Sequence, residues 1–385
     1  MRIGIAAPID ASRFNDHVEA DPPLVAGYSY GLTTEIALAY IREGHHVSIF
    51  ASDETASSTR EVQGDSCTVY VTPRRSNYRE RAGDWFAVER RALKSAMLES
   101  RVDIIHAHWS YEFALAALAS HSRVLMTVHD WAPAILRGSP DPYRAVRLAM
   151  QIRAITRARH VSAPSEHMGA RIRRYYRKPV SVIPNGLTGE WWTEADTDGR
   201  PDREPSGFVF GALNNGFDRH KNVKNLIAAF ALVRAGYPTA SCRIAGLGYE
   251  LGGPAQRWAV DRGLDDGIEW VGPVGPADVR SFYRSLDLFV HPSREESFGM
   301  VVLEALASGV EVLGGETSGA VPWIIGSSRT TDVTSPARLA RSMIARLNEG
   351  PGKRVSRWDI ESLRARFSIE EVAQSYLSVL QKAAS

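Results

Sequence analysis

Two glutamates with seven residues between them, Glu296 and Glu304, stand on either side of a glycine that opens a helical pattern. They lie in LDLFVHPSREESFGMVVLEALASGVEVLGG, Leu286 to Gly315. A buried strand, Leu288 to Val290, ends at His291 and Pro292, a polar turn follows, and a helix starts near Gly299. Gly299 permits another group to approach the backbone closely. The free N–H groups of the helix's first turn then face that group with the positive end of the dipole behind them. This is an anion site suited to a diphosphate. Glu304 falls about one turn into the helix, roughly 7 Å along the axis at 1.5 Å per residue, where its carboxylate can accept hydrogen bonds from hydroxyls beside the phosphates. Glu296, on the turn before the helix, faces whatever hangs from the far side. One anion site between two hydroxyl-accepting carboxylates fits a nucleotide sugar, with ribose on one side and hexose on the other.

Apolar β-branched runs alternate with helical periods along the whole chain, the pattern of α/β architecture with parallel sheets. The spacing predicts strands at 3–7, 46–51, 68–72, 104–107, 124–128, 160–163 and 180–183, with helices at 32–43, 85–98, 145–157 and 166–175 between them. From Glu194 to Gly207 the sequence EADTDGRPDREPSG has linker composition. After it the rhythm restarts, with strands at 208–212, 242–245, 268–271, 288–290 and 310–313 and helices at 226–235, 254–262, 279–285 and 300–307. Two doubly wound halves follow, with a ligand cleft where their strand ends face each other. The expected division is a first domain over 1–190, a linker over 191–207, a second domain over 208–365, and a helix over 366–385 packing back towards the first.

Composition narrows the function classes. With 385 residues, 44% apolar and 23% charged, the chain is long enough for two cores. A net charge of +2 is not that of a nucleic-acid-wrapping protein, and no nucleic-acid partner is expected. Cys67 and Cys242, 175 positions apart with no ligand-spaced Cys or His around them, argue against a disulfide framework or zinc finger and point to a reducing, cytoplasmic compartment. The opening MRIGIAAPID is too short in apolar run for a signal peptide, and no stretch has the roughly 18 apolar residues of a spanning helix. There is no G-x-x-x-x-G-K segment. Gly246-Leu247-Gly248 follows a strand, but the third glycine of a dinucleotide fingerprint would fall at Leu251. The charge is uneven, +4 up to residue 190 and −2 after it, with +9 between Arg137 and Lys178 alone. Either that stretch is a solvated Arg-rich surface, or it meets anionic lipid headgroups at a membrane face.

HPSREESFGMVVLEALASG resembles the two-glutamate signature of retaining glycosyltransferases of the GT-B fold, in particular the large family 4 group. REGHHVSIF, DIIHAHW, VLMTVHD, SAPSEHM and VSVIPNGL are similar to successive segments of that family's first domain. KNVKNLIAAFALV, RIAGLGYE and WVGPV are similar to segments of its second. The resemblance implies a GT-B fold of two Rossmann-like domains, the first binding acceptor and the second the nucleotide-sugar donor. It implies that Glu296 contacts the transferred sugar, that Glu304 holds the ribose, and that Lys221 in DRHKN neutralises the diphosphate. It further implies that backbone amides around Phe298, Gly299, Met300 and Val301 complete the phosphate cradle and that His129 stands near the reacting sugar, and the Gly246-Leu247-Gly248 turn fits a place beside the nucleotide.

Three positions depart from the family pattern. Gly211-Ala212-Leu213 replaces Gly-Arg-Leu, and Arg219 is the candidate to supply the missing charge. Only Gly31 of a Gly-Gly pair is present, and Pro322-Trp323 replaces Pro-Glu. The implied reaction is hexosyl transfer from a UDP-sugar, with GDP-mannose second, to a hydroxyl of a glycan, glycolipid or lipid-linked intermediate with retention. The alternatives are a soluble natural-product acceptor, or a sugar-nucleotide epimerase or phosphorylase of the same fold. No metal or other cofactor is expected, because the one Asp-x-Asp, Asp196-Thr197-Asp198, sits in the polar linker with no strand before it.

Overall fold

The computed structural model describes residues 1–193, 207–350 and 355–384. Asp196-Thr197-Asp198 and most of the expected linker lie outside them. The chain divides into two units, Met1–Thr188 with Phe367–Ser385, and Gly189–Arg366.

The first unit is built on β1 (Arg2–Ala6), β2 (His46–Asp53), β3 (Arg60–Gln63), β4 (Cys67–Pro73), β5 (Ile104–His108), β6 (Val124–Thr127), β7 (His160–Ala163) and β8 (Ser181–Val182). They form one sheet in the order β3-β4-β2-β1-β5-β6-β7-β8. Its helices are α1 (Gly31–Arg42), α2 (Tyr78–Gly83), α3 (Ala87–Glu99), α4 (Glu112–Ser120), α5 (Ala132–Gly138), α6 (Pro142–Arg157) and α7 (Glu166–Tyr176). Strands such as RIGIA and IIHAH are apolar or buried nearly throughout because helices cover both faces of a parallel sheet. One face packs around Ile3, Ile5, Ile36 and Tyr40 and the other around Phe50, Met126, Ile155 and Ile172.

Two expectations fail locally in this unit. β3 pairs antiparallel with β4, Val62 opposite Val69, so the sheet is mixed at that edge; the three residues Gly64-Asp65-Ser66 are too few for anything but a hairpin. The helix expected from Trp85 begins only at Ala87, because Trp85 and Phe86 both take the left-handed conformation at φ 58°.

The second unit comprises α8 (Gly189–Trp192), β9 (Val209–Leu213), α9 (Val223–Gly236), β10 (Ser241–Ala245), α10 (Pro254–Val260), β11 (Ile268–Gly272), α11 (Val279–Arg284), β12 (Leu288–His291), α12 (Met300–Ala307), β13 (Glu311–Gly315), α13 (Val321–Ile325), β14 (Thr330–Thr331), α14 (Pro336–Asn348) and α15 (Arg357–Phe367). Its sheet runs β11-β10-β9-β12-β13-β14 with every pairing parallel. β9 pairs with β10 on one side and β12 on the other, so strand order reverses between β9 and β12. Ligands of open α/β sheets bind beyond the carboxyl ends of strands at such a reversal.

The last helix, α16 (Ile369–Ala384), belongs to the first unit. Its apolar stripe, Val372, Tyr376, Leu377 and Leu380, is buried against α1 and the centre of that unit's sheet. No helix among the described residues is long and apolar enough to cross a membrane.

Candidate active site

In the second unit the loop after β9 and the turn after β12 are stitched together by backbone and side-chain hydrogen bonds. Asp218 Oδ1 accepts the amides of His220 and Lys221 at 2.8 and 2.9 Å, folding the DRHKN loop on itself. Arg294 N donates to His220 O at 2.9 Å, and Asn222 Nδ2 donates to Pro292 O at 3.0 Å. These contacts bring Lys221 to Glu296, with Nζ 2.9 Å from Oε1. His291 Nε2, from the end of β12, lies 3.5 Å from the same oxygen. Burial alone would push the Glu296 carboxyl up, but the adjacent His291 imidazole and the charge of Lys221 outweigh it and hold the group well below the usual carboxylate range. Glu296 is therefore an anion at any ordinary pH.

The backbone of Glu296 is fixed from the other side. Ala320 N donates to Glu296 O at 3.0 Å, and Ser318 Oγ donates to Ser293 O at 2.5 Å. Gly319 takes φ +65°, and a Cβ there would sit 2.2 Å from Glu296 O. Only glycine allows the 316–320 loop to lie this close.

α12 begins where the spacing placed it, after Gly299 at φ 102°, with no side chain capping its first amides. Phe298 is buried, and Met300 and Val301 form the first turn. Glu304 receives a hydrogen bond from the Tyr283 hydroxyl on Oε2 at 3.0 Å. Burial raises the Glu304 carboxyl above its ordinary value, and the Tyr283 bond opposes part of that rise. At the family's Pro-Glu position, Trp323 packs its ring 6.3 Å from Phe298. Ala212, at the missing family arginine, is wholly buried in this unit's core, so no cation could stand there without disrupting it. Arg219 is exposed on the DRHKN loop and has no ion-pair partner among the described residues. Gly246 takes φ +112° where β10 meets the end of β9, and a Cβ would fall 1.7 Å from Asn214 O.

His129 and Gly31 belong to the first unit. Gly31 opens α1 with no atom within 4 Å of a Cβ, so nothing local demands glycine there. His129 follows β6 at the carboxyl edge of the sheet, with Nε2 2.8 Å from His108 Nδ1. Its Nδ1 is buried and unpartnered. Burial pushes the imidazole down to about 3, so His129 is neutral at pH 7. Behind it, His106 packs with its ring 4.0 Å from that of His108, tilted by 41°, and shares hydrogen bonds with Tyr40 and Thr127.

Several neighbours escaped the sequence reading. Trp109 holds φ +60°, an outlier for so large a side chain, with its ring 4.8 Å from Tyr30 and 4.7 Å from His129. Tyr283 and His291 support the two glutamates, and Gly319 makes room for one of them. His291 and Trp109 were visible as polar or aromatic residues at strand ends. Tyr283 and Gly319 gave no local signal.

Residues 32–189 match the family described as Glycosyltransferase Family 4, and residues 213–359 match Glycosyl transferases group 1. The chain is 25% identical over 269 residues to the phosphatidylinositol N-acetylglucosaminyltransferase gpi3 subunit of Schizosaccharomyces pombe, covering 68% of this chain and 57% of that protein. It is 28% identical over 234 residues to the D-inositol 3-phosphate glycosyltransferase of Pseudarthrobacter chlorophenolicus, covering 57% of this chain and 56% of that protein. The chain thus spans less than two thirds of the length of these relatives. Among solved structures, sucrose-phosphate synthase of Thermosynechococcus elongatus superposes with a TM-score of 0.76 at 18% identity over the whole of both chains. An E. coli structure titled trehalose-6-phosphate bound with UDP-2-fluoro glucose gives 0.72 at 12% identity over 99% of each. The two matched segments, the two parallel-sheet units and the structural neighbours together make this chain a member of the family 4, group 1 glycosyltransferases of the GT-B fold.

Proposed function

We propose that the chain transfers a hexosyl group from a nucleotide diphosphate sugar, with UDP-sugars favoured over GDP-mannose, to an acceptor hydroxyl with retention and without a metal. The observation that carries this reading is the Lys221–Glu296 pair at the strand-order reversal, beside the uncapped start of α12. Lys221 and the first amides of α12 would hold the diphosphate and stabilise the charge that collects on it as it leaves. Glu296, fixed as an anion, would accept hydroxyls of the transferred sugar. Glu304 would accept ribose hydroxyls on the oxygen that Tyr283 leaves open. The bond from the anomeric carbon to the phosphate oxygen breaks, the acceptor oxygen bonds to that carbon on the same face, and the acceptor proton passes to the departing phosphate. Neutral His129 would offer a hydrogen bond rather than a charge beside the reacting sugar.

For the acceptor, both curated relatives are named for a phosphorylated inositol. An acceptor bearing phosphate, as a glycolipid or lipid-linked intermediate does, agrees with the positive charge between Arg137 and Lys178, where Arg153, Arg157, Arg159, Arg174 and Arg177 are exposed. That surface would also support peripheral contact with an anionic membrane.

A thermal-shift screen of UDP- and GDP-hexoses, followed by assays for nucleoside diphosphate release with and without acceptors, tests the reading. Donor-dependent stabilisation and acceptor-dependent release, unchanged by EDTA, with an α-linked product from an α-linked donor, are expected. No stabilisation and no release with any donor would overturn it.

A further inference from the structure

A cavity of about 520 Å³ opens in the first unit between α2 and α6. Its body is carbon: the rings of Tyr78 and Tyr143 meet edge to face at 5.3 Å, and Val146 and Gly83 complete the wall. The polar groups around it are already engaged. Asp141 caps α6 through Arg144 N at 2.7 Å and pairs with the Arg144 side chain. Arg79 lies over the Tyr78 ring at 5.8 Å, and the Tyr143 hydroxyl accepts from Arg147 Nη1 at 3.1 Å. A sugar would find few hydrogen-bonding partners here, whereas an apolar group would find ring faces and edges. The volume lies within the roughly 300–1,000 Å³ of small-molecule sites. It is too small to seat a partner protein.

The wall is braced. Phe86, in its left-handed conformation, packs 6.2 Å from Tyr143. The α2–α3 turn that carries it is clamped by Arg75, whose guanidinium binds Asp84 at 2.9 and 3.0 Å and Glu89 at 2.7 and 2.9 Å. An apolar space whose Tyr143 side is held in place from behind is suited to receive a ligand.

A run of side-chain contacts links the cavity wall to the residues at the sheet's carboxyl edge. α2 follows β4, and α6 follows β6 through α5, so both open on the edge that carries Trp109 and His129. From Tyr143 the contacts run to Arg147, whose guanidinium lies 3.4 Å over the Tyr111 ring, and from the Tyr111 hydroxyl to Asp130 Oδ1 at 2.7 Å, next to His129. We infer that this cavity binds an apolar aglycone, an alkyl or aryl group carried by the acceptor molecule. Naming the occupant as part of an acceptor rests on the transferase reading; the preference for an apolar group does not.

Isothermal titration of the full chain with methyl, octyl and phenyl β-D-glucopyranosides, the octyl compound kept below its micellar concentration, tests this. Octyl or phenyl glucoside should bind at least about tenfold tighter than methyl glucoside, and the better of the two identifies chain or ring as the group accepted. Val146→Trp fills the cavity, and Gly83→Leu narrows it from a position whose Cβ meets no atom within 4 Å; each should abolish the preference while thermal unfolding stays cooperative. Equal binding of all three glucosides, no binding of any, or a preference that survives in both variants would overturn the inference. A preference seen with neither stabilisation nor nucleoside diphosphate release from any donor would uphold the cavity and overturn the transferase reading, so the two failures are distinguishable.

Discussion

Lys221 Nζ and Glu296 Oε1 meet at 2.9 Å although 75 positions separate them in the chain. The pair is the outcome of hydrogen bonds between two loops that use neither side chain, Arg294 N to His220 O and Asn222 Nδ2 to Pro292 O, rather than their cause. Side chains at 221 and 296 can therefore be removed without removing the loops that carry them.

Glu296→Ala and Lys221→Ala should each lower kcat by about 10²–10³ while circular dichroism stays native and unfolding stays cooperative. Near-normal turnover in either variant would refute the roles given to them. The carboxyl is depressed in the folded chain, so its stabilising contribution is present above the ordinary carboxylate pKa and is lost as pH falls through the folded value. In urea unfolding, wild type should exceed Glu296→Gln in stability at pH 7, and the gap should begin to close below about pH 4.

Gly319→Ala should cost about 3 kcal/mol, since it combines a left-handed φ with a Cβ placed 2.2 Å from Glu296 O. The denaturant midpoint is the measurement, and a shift of less than a quarter of that size would mean the 316–320 loop yields easily.

Three neighbouring imidazoles make the first unit acid-sensitive. Burial pushes His106 and His129 down to about 3 and His108 well below its ordinary value, with the nearby rings adding to the effect at His106 and His108. Unfolded, each takes up a proton below about pH 6.5, so the unfolded state binds more protons and stability falls as pH drops through that value. The slope should approach about 4 kcal/mol per pH unit at pH 5, three groups at about 1.36 each. Folding free energies measured between pH 7 and 5 check this, and His106→Gln should remove about a third of the slope.

Trp109 offers a test of backbone strain. Alanine and glycine both delete the ring that lies between Tyr30 and His129, but only glycine accepts φ +60° without the cost of about 1 kcal/mol. Trp109→Gly should therefore be at least as stable as Trp109→Ala in guanidinium unfolding, the reverse of the usual order. A clearly more stable alanine variant would show that the left-handed turn relaxes once the ring is gone.

The features that could be read from sequence were those whose information is local. β12, the polar turn, Gly299 and the start of α12 lie within one short segment, and their order alone located Glu296 and Glu304. Lys221 needed the family resemblance, because nothing in DRHKN says which strand end it meets. Tyr283, Gly319 and Ala212 owe their importance to contacts made across the sheet: a hydroxyl on Glu304, a carbonyl 2.2 Å from an imagined methyl, a core that leaves no space for a cation. The turn at Trp85-Phe86 read as helix because aromatic spacing is the same in both conformations, and it is the packing of Phe86 that selects the left-handed one.

α16 completes the first unit from the far end of the sequence, with Tyr376 lying over the rings of His106 and His108. During synthesis on the ribosome the second unit, one unbroken span, is made before that helix. The histidine cluster stays open on one side until α16 is available to cover it. The earlier-made unit is therefore the later one to close.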